Sequence, residues 1–249
     1  MYRRAAAMAA QMVRHDGQMP SEVDPEALAA YRDPPGEPPW AMPIVIRVEK
    51  GDEPDATAVA EVVAMAVVRL LDDARSSEGG EWAGDVGRWL DGRIRKVARR
   101  ARGARWEAAC LLPGVTVEHN GAIARAFVPG ATDAVPPEIA KLQVAGLELP
   151  DGAASPERSG ALSVALTPHV TMSALKAAVQ VAHAAQLARD VLASAGGGLE
   201  RWRDAGFDVR LVRPDAAQWA RFAESAKVVV RDAGYTEIPP GTRTTLALW

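Results

Sequence analysis

The first sustained apolar pattern begins at Met42. There MPIVIRV, rich in β-branched residues, predicts a strand over Met42–Val48. A polar break at Asp52–Asp55 follows, and Ala56–Arg75 is apolar enough and long enough for a buried helix. Beyond Gly79 and Gly80, helical spacing runs from Trp82 to about Ala104 and ends in a dense set of arginines. Weaker strands are expected at Val115–His119 and Ala122–Val128, joined by Asn120-Gly121, a dipeptide suited to a tight hairpin turn. A short helix is expected over Pro137–Val144, and Leu149–Gly160 (LPDGAASPERSG) has the composition of a linker. The pattern then restarts. Ala161–Thr167 predicts a strand, Ser173–Ala193 a helix closed by Gly196–Gly198, and Leu199–Ala205 a second helical piece. A strand at Asp208–Val212, a helix at Pro214–Glu224 and strands at Lys227–Asp232 and Thr242–Leu248 complete it.

Strands alternating with helices predict an α/β protein, a mixed β-sheet flanked by helices, with three α/β/α layers in the C-terminal half. The divisions expected are a tail and proline-rich connector over 1–39, with a short helix at Ala5–Val13, an α/β half over 40–150, a linker over 151–160 and a second α/β half over 161–249. Ile44–Val48 overlies Leu162–Leu166 at an offset of 118 residues, and Ala64-Met65-Ala66 overlies Ala182-His183-Ala184 at the same offset. Both halves run strand, break, apolar helix. This suggests an internal duplication, with the halves pairing as a pseudo-dimer or extending one sheet.

With 249 residues, 48% of them apolar, the chain can bury a sizeable core. Its net charge of −3 is not that of a general nucleic-acid binder, so any RNA contact has to come from a local patch. One such patch is legible. Residues 88–105 carry eight bases against one acid, including Arg93, Lys96, Arg99, Arg100 and Arg102, with Trp106 beside them. A solvated arginine-rich helix would show the same run. The single cysteine, Cys110, lies in an apolar stretch as core filler and allows no internal disulfide. No segment approaches the ~20 apolar residues of a membrane span, so a cytoplasmic protein is expected. The four histidines do not cluster at metal spacing, and neither a phosphate-binding P-loop nor a nucleophile elbow is present. No metal or cofactor is expected.

Two segments carry candidate chemistry. In MSALKAAVQVAHAAQLA, Lys176, Gln180 and His183 fall at i, i+4 and i+7 and share a narrow arc of a helix surface. A solvated polar stripe would give the same spacing. In VVVRDAGYTEIPPGTRTTLALW, Asp232 falls at a strand end, and Pro240-Gly241 fits the central positions of a type II turn. Strand alternation puts Thr242 and Thr244 on one face, so that Asp232, Thr236 and Thr244 can converge near one sheet end. Ordinary turn chemistry also uses Asp and Thr in this way.

Together the segments read M-S-x-x-K-x-x-x-Q-x-A-H-A-A followed by R-D-A-G-x-T-x-I-x-P-G-T-x-T-x-L-A. This resembles the two signature segments of type 2 peptidyl-tRNA hydrolases, over about 90 of the 249 residues. The chain departs from the family pattern at Leu175, where a glycine is usual, at Val179 in place of alanine, and at Glu237 in place of glutamine. The resemblance implies metal-free hydrolysis of the ester joining a peptide to its tRNA. It implies a catalytic set of Lys176, Asp232, Thr236 and Thr244, with Gln180, His183, Arg231, Gly241, Thr242 and Arg243 around the substrate. The partner implied is tRNA. The protein would be a homodimer or a pseudo-dimeric monomer, its first half standing in for a second subunit. At the 118-residue offset that half has Ala58, Val62 and Met65 where the second has Lys176, Gln180 and His183. A non-catalytic RNA- or ribosome-binding module, acting through the arginine run, is the competing expectation.

Overall fold

The computed structural model describes residues 36–249 apart from 197 and 235. The helix expected at Ala5–Val13 lies outside the described residues. The first half contains β1 (Trp40–Arg47), α1 (Ala56–Asp72), a single 3₁₀ turn at Ala74–Ser76, α2 (Ala83–Asp91), β2 (Arg95–Ala101), α3 (Gly103–Cys110), β3 (Gly114–His119), β4 (Ala122–Phe127), the two-residue β5 (Gly130–Ala131) and α4 (Pro137–Ala140). The second contains β6 (Leu162–Leu166), α5 (Ala174–Ala195), α6 (Gly198–Asp204), β7 (Val209–Val212), α7 (Ala216–Ser225), β8 (Val228–Arg231) and β9 (Arg243–Leu248).

The two sheets share one topology. The first runs β2-β1-β4-β3, with β5 against β1, and the second β7-β6-β9-β8. In each the opening strand pairs in parallel with one neighbour (β1 with β2, β6 with β7) and antiparallel with the other (β1 with β4, β6 with β9). The two long helices obey the offset seen in the sequence. α1 starts at Ala56 and α5 at Ala174, and in both the preceding residue caps the helix, Asp55 through Ala58 N and Ser173 through Lys176 N. A side-chain oxygen at that position satisfies one of the amides that a helix start leaves unpaired.

α1 and α5 pack along each other, and each also reaches the other half's sheet: α1 touches β7, and α5 touches β2. That reciprocal arrangement is the geometry of a two-fold pair written in one chain. Fourteen of the seventeen α1 residues are buried, as expected of a helix apolar all round and enclosed on every side. One apolar core runs through both halves, joining Ile44, Ile46, Val63 and Val67 to Val164, Val181, Leu211 and Val230. The outer faces are covered separately. Trp106 and Ile139 pack under Val45 and Phe127 in the first half, and Trp219 packs on Ala165 and Leu246 in the second.

Two expectations need correction. The helical reading from Trp82 to Ala104 fails after Asp91, because Arg95–Ala101 forms β2 beside β1. Lys96 and Ala98 are buried while Arg95, Val97 and Arg99 are less so, the two-residue period of a strand, and Ala101, out of that phase, packs on the other face with Val45 and Trp106. The linker is not loose either. Leu149–Gly160 holds no helix or strand, yet Pro150 O accepts from Ala56 N, and Ser155 N donates to Leu211 O on the open edge of β7. Just upstream, Gln143 O accepts from Arg100 N on the open edge of β2. The connector between the halves thus covers an exposed strand edge on each sheet, a common protection against further strand pairing. Among the described residues no helix is long and apolar enough to cross a membrane.

Candidate active site

The site sits where the N-terminus of α5 meets the loop between β8 and β9. That loop is fixed by its own backbone. Asp232 N donates to Thr242 O and Gly241 N returns a bond to Asp232 O. Gly241 has φ +80°, and Thr242 N lies 3.4 Å from Pro239 O, the expected turn around Pro240-Gly241. Gly234 is required: its φ is +77°, and a Cβ there would lie 2.6 Å from Pro240 N. Glu237, one of the departures from the family pattern, ties the loop to the helix. Its carboxylate accepts from Ser173 N at 2.9 Å and from Ser173 Oγ at 2.8 Å, which adds negative charge at the positive end of α5.

Across this junction Lys176 Nζ lies 2.6 Å from Asp232 Oδ2 and 3.2 Å from Thr236 Oγ1. Gln180 Nε2 donates to the same Oδ2 at 2.8 Å, and Gly234 N donates to Oδ1 at 2.8 Å. Thr244, fully buried, donates to Gln180 Oε1 at 2.6 Å. Both ends of the Gln180 amide are thereby engaged, and its orientation follows: the carboxylate, which only accepts, requires the NH₂, and the Thr244 hydroxyl donates to the oxygen that remains. Leu175 is buried in the central core and does not prevent Lys176 from reaching the carboxylate.

Simple alternation does not explain Thr244. The β8–β9 ladder pairs Val230 with Thr245 but Arg231 with Arg243, so β9 carries one extra residue, Thr244. This bulge lets neighbouring residues face the same helix. Thr244 reaches the Gln180 side chain, while Thr245 Oγ1 donates to Gln180 O at 3.1 Å. Thr242, expected beside Thr244, instead bonds Pro239 O and lines a hollow on the α7 side of the sheet. Arg231, Gly241 and Arg243 line that same hollow. Burial and the neighbouring Arg243 lower the Arg231 pKa from its ordinary value.

No family model matches the chain, and no solved structure matches it. The likeness to the hydrolase family therefore rests on the motif residues alone.

His183 is not part of the cluster. One turn beyond Gln180 it faces the other half, where its Nδ1 lies 2.9 Å from Lys96 Nζ. Lys96 Nζ also donates to Gln186 Oε1 at 2.5 Å. Both ionisable groups have pKa values well below their ordinary ranges, chiefly through burial; Lys96 and Lys176 depress His183 further, whereas Asp190 opposes the shift in Lys96. The polar stripe on α5 thus divides: its first two members serve the Asp232 site and its third serves the joint between halves.

The basic run is similarly divided. Lys96 is interior, Arg99 donates to Leu142 O at 2.9 Å, and Arg100 donates to Gln143 Oε1 through two nitrogens. Arg102 is exposed just before α3. Arg93 precedes β2 in the turn after α2. These residues do not form the single helical face that the sequence suggested. A buried carboxylate escaped sequence reasoning altogether. Glu61 on α1 accepts from Ser155 Oγ at 2.5 Å, Leu211 N at 2.8 Å and Asn120 Nδ2 at 3.1 Å, joining both halves and the connector. Its only sequence signal was an acid inside an apolar helix. Among the described residues no group of three or more His, Cys, Asp or Glu is placed to hold a metal ion.

Proposed function

We propose that the chain hydrolyses the ester bond of peptidyl-tRNA, releasing peptide and tRNA. The observation that carries this reading is the shared contact of Lys176 and Gln180 with one oxygen of Asp232, with Thr236 on the same ammonium. An ester needs no covalent nucleophile: a held water and a stabilised oxyanion suffice. In this scheme Asp232 orients the water and takes its proton as the water oxygen attacks the ester carbonyl. Lys176 has three donor hydrogens, two of them directed to Asp232 and Thr236, and the third stabilises the developing oxyanion. The Thr236 hydroxyl, accepting from Lys176, has its own hydrogen left to hold the water or the ester. Collapse of the tetrahedral species breaks the acyl C–O bond, and the departing ribose oxygen takes the proton that Asp232 had accepted from the water, which restores the carboxylate. The products are a peptide carboxylic acid and a free ribose hydroxyl.

The test is release of tRNA from purified N-blocked aminoacyl-tRNA. Asp232→Asn and Lys176→Ala are expected to lower kcat by about 100-fold or more, the scale of removing one acid–base or oxyanion-stabilising group. Circular dichroism should stay unchanged. Near-normal turnover in both variants would end the assignment.

A further inference from the structure

The loop from Asp232 to Gly241 is pinned on both sides of its tip. Backbone bonds join Asp232 to Thr242 and Gly241, and the Ile238 side chain is buried. Between these anchors Thr236 is exposed, and among the described residues its only side-chain bond is the one to Lys176. The residue after it has an unfavourable backbone. Glu237 has φ +60°, and Ile238 N donates to Thr236 O at 2.7 Å, which closes a three-residue turn centred on Glu237. With a positive φ at a residue other than glycine, such a turn is rare and strained. The Glu237 carboxylate offsets that strain. Its two oxygens take both donors of Ser173, the backbone N at 2.9 Å and Oγ at 2.8 Å. Ser173 Oγ in turn accepts from Lys176 N at 3.2 Å. One side chain thus links the backbone beside Thr236 to the backbone of Lys176.

We infer that Glu237 is a positioning residue: its clamp on Ser173 holds the Thr236 hydroxyl against the Lys176 ammonium. Strained backbone persists where the surrounding contacts over-determine it, and such positions gather at sites that must be pre-organised. Among the described residues no bond joins Glu237 to Asp232 or to the Lys176 ammonium, so its effect on the chemistry passes through Thr236 and the first turn of α5. Two substitutions separate the clamp from the backbone. Glutamine can accept from Ser173 N through its oxygen and donate to Ser173 Oγ through its NH₂, so it keeps the clamp without the charge. Glycine relieves the positive φ but abolishes the clamp. The catalytic consequence rests on the hydrolase reading above.

The test combines two readouts on the full chain: tRNA release from N-blocked aminoacyl-tRNA, and the nuclear Overhauser effect between the Thr236 methyl group and the Lys176 side chain. Glu237→Gly is expected to lower kcat about tenfold or more, the scale of misplacing a group that orients the reactants, with KM changed by less than about twofold. The Overhauser effect should disappear. Tm should change little, because relief of the strained φ offsets the loss of exposed bonds. Glu237→Gln should keep kcat and the Overhauser effect close to wild type. Ser173→Asp still caps α5 but sets one carboxylate against another, so it should reproduce the loss, and adding Glu237→Gln should recover it. An Overhauser effect that persists in Glu237→Gly, or a loss in Glu237→Gln as deep as in Glu237→Gly, overturns the positioning role. The two proposals fail separately. Asp232-dependent release that is indifferent to Glu237→Gly removes only the positioning role. A wild-type protein that releases no tRNA, yet loses the Overhauser effect in Glu237→Gly, removes only the hydrolase.

Discussion

Thr244→Val gives the sharpest test of how the candidate site is held. The substitution keeps shape and removes one hydroxyl. In the folded protein that hydroxyl is fully buried and donates to Gln180 Oε1 at 2.6 Å, while the other end of the same amide donates to Asp232 Oδ2 at 2.8 Å. Valine leaves Oε1 as a buried acceptor without its donor, which costs about 1–3 kcal/mol. For a chain of this size that lowers Tm by roughly 2–12 °C. Asp232, which only accepts, still directs the amide NH₂, but the amide loses the anchor at its other end and is held less firmly. Turnover of N-blocked aminoacyl-tRNA should fall by about tenfold or more, chiefly in kcat. Thr245→Val is the matched control. Its hydroxyl is equally buried and donates to Gln180 backbone oxygen, so its loss should lower Tm with little effect on kcat. If the two variants lose activity equally, or if Thr244→Val keeps full activity, the Thr244–Gln180–Asp232 chain does not position the carboxylate.

Other consequences can be measured independently. Glu61→Ala removes a buried acceptor serving Leu211 N, Ser155 and Asn120 and should destabilise by about 3 kcal/mol or more in urea titrations, without changing the chemistry at Asp232. His183 has a folded-state pKa below its unfolded value, so the unfolded chain binds the extra proton first. Stability should be at full strength above pH ~6.5 and fall as the pH drops below it. The loss reaches up to about 2 kcal/mol by pH 5, and the dependence should be shallower in His183→Gln. Residues 161–249 expressed alone would expose the face of α5 that α1 covers, and should self-associate or precipitate in size-exclusion chromatography.

Strong periodicity made most of the second half readable. Every strand and long helix expected between Ala161 and Leu248 is present within a few residues, because alternating and helical patterns there coincide with burial. The family resemblance implied that Lys176 shares a site with Asp232 and Thr236, and the three side chains meet. The basic run was misread for a physical reason. Arginine is a good helix former, whereas β2 is specified by its partner β1 and by the inward turn of Lys96 and Ala98, which are tertiary facts. Thr244 reached the site by a bulge, and a one-residue register shift has no local signature in RDAGYTEIPPGTRTT. His183 lies on the same arc as Lys176 and Gln180, but one helical turn carries it past the sheet end to the other half. Spacing along a helix assigns a face, and what that face meets at each level depends on the neighbours.

Joining two topologically matched halves by a tethered connector has a consequence for mass action. A symmetric pair assembled from separate chains falls apart on dilution and carries two equivalent sites. Here the pairing is intramolecular, so its integrity should not vary with protein concentration, and the absence of Lys176, Gln180 and His183 counterparts at Ala58, Val62 and Met65 leaves one site per molecule. In the proposed scheme one half carries the reacting groups and the other stays bound to it at any dilution.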